Sequence, residues 1–173
     1  MDLRIREAEA SDYDALCALF DEVDSLHRAR LPHIFQKPDG PCRDKDYVLA
    51  LIADETVGLF VAETEGQLAG LVCVVITESA QVPILVPRRY AVIDNIVVRS
   101  AFRRRGIGRR LMEEAQRWAE AQGADSVELN VSQFNRGAIA FYESLGYKTA
   151  SRRMSKNLPQ APRSVVQRRI SGE

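Results

Sequence analysis

Long apolar runs are missing from this chain of 173 residues: the longest, Leu68 to Ile76, is nine residues, about half of a membrane span. The opening MDLRIREAEA lacks the apolar core of a secretory leader. Cysteine is sparse. Cys17, Cys42 and Cys73 are scattered, with no C-x-x-C spacing, so neither a disulfide framework nor a metal site is expected. Charge of one sign is lacking too, with 24 Lys and Arg against 24 Asp and Glu. Apolar residues at 46% and charged residues at 28% argue against disorder, a collagen-like repeat and a coiled coil. The expectation is a soluble, cytoplasmic protein of one domain over residues 1–158, followed by a loosely held basic tail over 159–173. A domain of this size buries roughly 70% of its unfolded surface and needs no covalent staples.

The balanced total hides a polarity. Residues 1–98 hold 17 acids and 9 bases, whereas residues 99–173 hold 15 bases and 7 acids. A basic half suggests an anionic partner, and an acidic half a cationic one or self-complementarity. The densest charge lies in Arg103–Arg110, where five arginines crowd together.

Period and punctuation give the elements. Leu3 and Ile5 alternate with arginines as a short strand. Ser11 or Asp12 can cap a helix whose apolar stripe is Leu16, Leu19, Phe20, Val23 and Leu26, fading into a loop from His27 that holds Pro32, Pro38, Gly40 and Pro41. A short helix is expected over Lys45–Ala53. Strands over Gly58–Glu63 and Leu68–Thr77, joined at Glu65-Gly66, read as a hairpin. Pro83 and Pro87 precede a long strand at Tyr90–Val98. From Gly108 the period turns helical, with Leu111, Met112, Ala115, Trp118 and Ala119 on one face and Gly123 as the stop. Val127, Leu129 and Val131 alternate as a strand. Asn135 can cap a further helix bearing Ala138, Ile139, Phe141, Tyr142 and Leu145, and a last strand is expected from Tyr147. The order is that of a mixed α/β layer fold around one sheet.

Chemistry concentrates in DNIVVRSAFRRRGIG, Asp94 to Gly108. Arg103-x-x-Gly106-x-Gly108 falls at a strand-to-helix turn, where glycines let the backbone approach a ligand. The next helix adds unpaired N–H groups and the positive end of its dipole. Together they suit a phosphate or pyrophosphate, with arginines as clamps. The dinucleotide fingerprint G-x-G-x-x-G and the P-loop are both absent. A plain turn before a helix remains the alternative.

Three segments in order, IDNIVV, RRRGIG with its helix, and NRGAIAFYESLGY, resemble the GCN5-related N-acetyltransferase (GNAT) superfamily, and the element order resembles it over nearly the whole chain. The resemblance implies a mostly antiparallel mixed sheet, flanked by helices, whose central strands splay apart to take acetyl-CoA. It implies that Ile96, Val97 and Val98 offer backbone groups to the pantetheine arm. Arg103, Arg104, Arg105, Gly106, Ile107, Gly108 and Arg109 would hold the pyrophosphate. Asn135 sits where family members contact pantetheine or an ordered water, and Tyr142 where many place the acid that protonates the departing thiolate. The family often has Gly after the first residue of the turn; this chain has Arg104.

A phenol of pKa about 10 can donate to a thiolate whose thiol has pKa about 8.5. Tyr142 reads equally as a half-buried packing residue. Asn135 is more simply a helix cap. The acceptor amine must be neutral, which costs about 4.6 kcal/mol at pH 7 for a lysine-like amine and about 1.4 for an α-amino group. Asp94, on the central strand immediately before the cofactor-binding residues, is the candidate base, with solvation or an arginine pair as its structural alternative. On the acceptor side, Asp21, Glu22 and Asp24 suit a cationic amine and His27 is an alternative base, although acids and a histidine on a surface helix are more commonly ordinary solvated residues. No cysteine or serine with a partner base is evident, so direct attack in a ternary complex on a primary amine, of a small molecule or a protein, is expected. The rival is a non-catalytic module, sensing CoA or binding nucleic acid or another acidic partner through Arg99–Arg117. Phe102 is the one aromatic within it and Trp118, just past its end, belongs to a helix's apolar face, which disfavours nucleic acid. A homodimer is left open.

Overall fold

The computed structural model describes residues 2–158, so the expected tail at 159–173 lies outside the described residues. The chain forms β1 (Leu3–Glu7), α1 (Tyr13–Arg30), α2 (Lys45–Ala53), β2 (Val57–Thr64), β3 (Gln67–Glu78), β4 (Arg89–Val98), α3 (Ile107–Ala121), β5 (Val127–Leu129) and α4 (Arg136–Ser144). One sheet holds the strands in the order β1-β2-β3-β4-β5, antiparallel except for the parallel pair β4–β5. The Glu65-Gly66 turn is as expected, with both residues left-handed (φ 55 and 71), the twist a two-residue hairpin turn requires.

Each face of the sheet has its own core. On one, α3 presents Ile107, Leu111, Met112, Ala115 and Ala119 to Phe60, Val72, Val74, Ala91 and Ile93. On the other, Leu16, Leu19, Phe20 and Val48 of α1 and α2 cover Leu59, Val61, Leu71, Cys73 and Val97. Truncating a residue such as Leu111 to alanine in so closed a layer costs about 2–5 kcal/mol. Cys73 is thus a core residue.

The feature that positions the site is a bulge. Along β3–β4 the register runs Gly70↔Val98 to Cys73↔Asn95 and then jumps to Val74↔Ile93, leaving Asp94 as the extra residue. Such a residue bends its strand and switches the side-chain alternation. Accordingly Ala91 and Ile93 pack on the α3 face, whereas Val97 belongs to the α1 face and Ile96 and Val98 return to α3. Pairing with β5 ends at Ile93↔Leu129, the last residue before the bulge. The expected parting of strands therefore lies between β4 and β5, with β5 the outermost described strand.

Three boundaries differ from expectation. The strand of Val127 ends at Leu129 without Val131, because β4 bends away and offers nothing further to pair with. No strand starts at Tyr147 among the described residues. Lys148–Arg153 carries no large apolar residue to alternate, and Met154 and Leu158 are 87% and 76% exposed. The first helix runs on to Arg30, and Asp12 works one step earlier than a cap of α1, accepting the Glu9 N–H at 2.8 Å and an Arg6 fork at 2.7 and 2.9 Å.

Candidate active site

Beyond Val98 a tight turn at Ser100–Phe102 buries Phe102 and leads to α3. Gly106 stands at the N-terminus of α3 in the left-handed conformation (φ 80), where any side chain would be strained. No side chain caps this helix. The N–H groups of Ile107, Gly108 and Arg109 therefore face outward without intrahelical partners, at the positive end of a helix of 15 residues. Arg104 is also left-handed, with φ 63, at the position where the resembling family often has glycine.

The arginines of the turn divide into two sets. Arg103 donates through Nε to the Val98 carbonyl (2.9 Å) and pairs with Glu22 of α1 (3.0 Å), bracing the turn from beneath. Arg105 lies over the Phe102 ring and near Glu65, and Arg110 donates to the Leu3 carbonyl. Arg117 pairs with Glu114. Among the described residues, Arg104, Arg109 and Arg99 have no such partner, so the stretch Arg99–Arg117 is not a continuous free basic face.

The helix α4 abuts this turn. A Cβ at Gly108 would stand 3.3 Å from the Phe141 ring and 3.7 Å from Val98 Cγ2, so the small residue lets α4, α3 and β4 meet. Asn135 caps α4, its side-chain oxygen accepting the Ala138 N–H at 3.2 Å. Tyr142 packs into the same cluster as Ile96, Val98 and Leu129, with the rings of Phe141 and Tyr147 at 5.4 and 6.0 Å. Its hydroxyl makes no hydrogen bond among the described residues. Burial, and then the neighbouring Tyr147, push its pKa above the ordinary tyrosine value. It stays a proton donor through neutral pH.

Asp94, the bulged residue, is exposed and accepts the Asn95 side-chain amide at 2.7 Å. Burial, and secondarily Asp94, push the Cys73 thiol up to about 12. No hydrogen bond joins Asp94 to Tyr142; Tyr142 belongs to the α3 side of the sheet.

Asp21, Glu22 and Asp24 of α1 are each engaged by an arginine and do not form the free acidic set that a cationic amine would need. Asp21 pairs with Arg28 (2.8 Å), Glu22 with Arg103 (3.0 Å) and Asp24 with Arg43 (2.8 Å). The reason is spatial: Arg43 and Arg103 are distant in sequence and come under α1 only in the fold. The His27 ring contacts the rings of Phe35 (5.2 Å) and Phe134 (6.1 Å), which come from two different loops. Phe134 escaped the sequence reading, since a lone aromatic before a cap carries no periodic signal. A separate concavity of about 410 Å³, by Trp118, Gly58 and Glu7, lies on other residues.

The family model of the GNAT acetyltransferases matches residues 20–147, and the chain belongs to that family. An uncharacterized N-acetyltransferase of Methanocaldococcus jannaschii is 35% identical over 102 residues, which cover 59% of this chain and 44% of that protein. The chain thus spans less than half the length of that relative. A mutant of the BH1408 protein of Bacillus halodurans superposes with a TM-score of 0.86 at 27% identity, over 90% of this chain and 99% of the other. The aminoglycoside N-acetyltransferase AAC(6')-Iy, solved with a bisubstrate analogue joining CoA to acetylneamine, shares the fold at a TM-score of 0.71 and 17% identity, over 92% and 100% of the two chains.

Proposed function

We propose that this protein transfers acetyl from acetyl-CoA to a primary amine by direct attack in a ternary complex. The observation that carries this reading is the coincidence, at one end of the sheet, of strand pairing that stops at Asp94 with an uncapped α3 N-terminus. The fit to a CoA diphosphate is chemical. Unpaired N–H groups of the first α3 turn, with Arg104 and Arg109, match an anion, while Arg103 and Arg105 hold the turn in shape. Ile96, Val97 and Val98 lie past the last paired residue of β5, and their outer backbone groups suit the amides of a pantetheine arm. Asn135 orders the start of α4 alongside. Acetyl-CoA, when bound, supplies an activated thioester with a thiolate leaving group.

The residues then divide the proton work. Asp94 takes a proton from the acceptor ammonium, with His27 as the second candidate. The amine lone pair forms the C–N bond, the C–S bond breaks with its electron pair on sulfur, and Tyr142 donates the proton that sulfur takes up. The nitrogen's second proton passes through water to restore the Tyr142 phenol, and Asp94 returns its proton to solvent. A strand N–H polarises the carbonyl as charge develops on its oxygen. Cys73 is a poor nucleophile, buried and with its thiol raised to about 12, which supports direct attack over an acyl-enzyme. The free thiols of Cys17, Cys42 and Cys73 support a reducing, cytoplasmic setting.

Calorimetric titration with acetyl-CoA, desulfo-CoA and ADP tests the reading. Micromolar binding of acetyl-CoA with weaker binding of ADP is the expected result. If none of the three binds, the transferase reading falls and a binding module built on Arg99, Arg104 and Arg109 takes its place.

A further inference from the structure

The α1 side of the strand gap presents aromatic rings, while its carboxylates are already held by arginines. Glu22 of α1 accepts the Ser100 N–H at 2.8 Å, which pins this part of α1 over the end of β4. Five residues on, His27 meets Phe134, which lies five residues beyond the end of β5. The ring contact therefore bridges the mouth between the two strands. Phe35 also contacts the imidazole and is 37% exposed, with Ile34 before it at 64% and Leu26, next to His27, at 40%.

We propose that this wall selects the acceptor: an amine carried singly beside an aromatic or branched apolar group, and not a polycation. The inference rests on the acetyl-transfer reading and narrows its substrate class. Two observations carry it. Every acid of the wall, Asp21, Glu22 and Asp24, is already matched by an arginine, and the segment from His27 to Lys37 holds Arg28, Arg30 and Lys37 with no carboxylate. Each further ammonium of a polycation would lose water there and gain no counter-charge. An apolar body instead gains in proportion to the apolar surface it buries against Phe35 and Phe134.

The wall offers one directed acceptor. His27 Nδ1 lies 3.0 Å from the Val23 carbonyl, which can only accept, so Nδ1 carries the hydrogen. In the neutral ring Nε2 is left as a lone-pair acceptor, enough for one N–H of a single amine.

The experiment follows CoA thiol release with four acceptors, 2-phenylethylamine, a tetrapeptide with N-terminal phenylalanine, spermidine and kanamycin, beside an acetyl-CoA titration without acceptor. One or both apolar amines should exceed the polycations by at least about tenfold in kcat/KM, and their ratio tells a free amine from a peptide N-terminus. Phe35→Asp, on a surface loop, should raise KM for the preferred amine about tenfold with acetyl-CoA affinity retained. Preference for spermidine or kanamycin, equal use of all four, or acetyl-CoA binding with no acceptor used overturns the inference. So does a Phe35→Asp variant that keeps the wild-type preference. Failure of acetyl-CoA to bind is a separate result, seen before any acceptor is added, and removes the transferase reading along with this one.

Discussion

Tyr142 owes its proposed role to where its helix leaves it. On α4 it is one ring among Phe141, Tyr147 and the strand residues Ile96 and Val98, and its burial keeps the phenol protonated beyond the ordinary pKa of 10. Tyr142→Phe keeps the ring and loses only the proton. Turnover should fall by about 10²-fold while acetyl-CoA affinity stays within about twofold, read by steady-state kinetics and calorimetry. Since the acid works protonated, the wild-type rate should decline only above pH 10. A Phe variant with wild-type turnover removes Tyr142 from the chemistry. The residue type and its helical position were visible in FYESLGY, whereas the absence of a partner for its hydroxyl was not, because that depends on what the strands bring near.

At the scale of the element, the N-terminus of α3 combines strain with function. Arg104 adopts φ 63, a conformation costing a side-chain-bearing residue roughly 1 kcal/mol that glycine avoids. Arg104→Gly should therefore leave the urea midpoint unchanged or slightly raised and weaken acetyl-CoA binding about tenfold, one charge-assisted contact being lost. Arg109→Ala should weaken binding similarly with no gain in stability. Both variants should bind with a shallower dependence on salt, since a screened charge is gone. Equal affinity of Arg104→Gly and wild type would separate the strain from any cofactor role. The glycine spacing of the turn was legible in R-x-x-G-x-G. Which arginines were free was not, because Glu22 and Glu65 reach Arg103 and Arg105 from elements far away in sequence.

At the scale of the whole molecule, Arg6 ties three elements together. From β1 it reaches Glu63 on β2 at 2.9 Å and Asp12 before α1 at 2.7 Å. The Arg6 hydrogen bonds hold the Asp12 carboxyl below its ordinary 3.8, against a burial that works the other way. A depressed folded pKa gives stability that is complete well above pH 4 and is lost as pH falls through the folded value. Asp12→Asn should destabilise by about 2–3 kcal/mol at pH 7, and the gap to wild type in urea midpoint should close below pH 4. A gap that persists unchanged into acid would show that the carboxylate charge is not what holds the corner.

Composition, periodicity and punctuation alone determined the layers of this protein, its hairpin at Glu65-Gly66, the cap at Asn135 and the glycine turn before α3. These depend on residues close in the chain, where dihedral preference and helical or strand spacing act directly. The bulge at Asp94, the pairing of Glu22 with Arg103 and of Asp24 with Arg43, and the meeting of His27 with Phe134 were decided only by the tertiary structure. Each joins groups remote in sequence whose attraction exists only after the sheet has brought them within a few ångströms. The early end of β5 has the same origin, whereas the absence of a strand after Tyr147 among the described residues follows from a local sequence with no large apolar residue to alternate. A strand needs a neighbour to pair with, and here β4 has turned away.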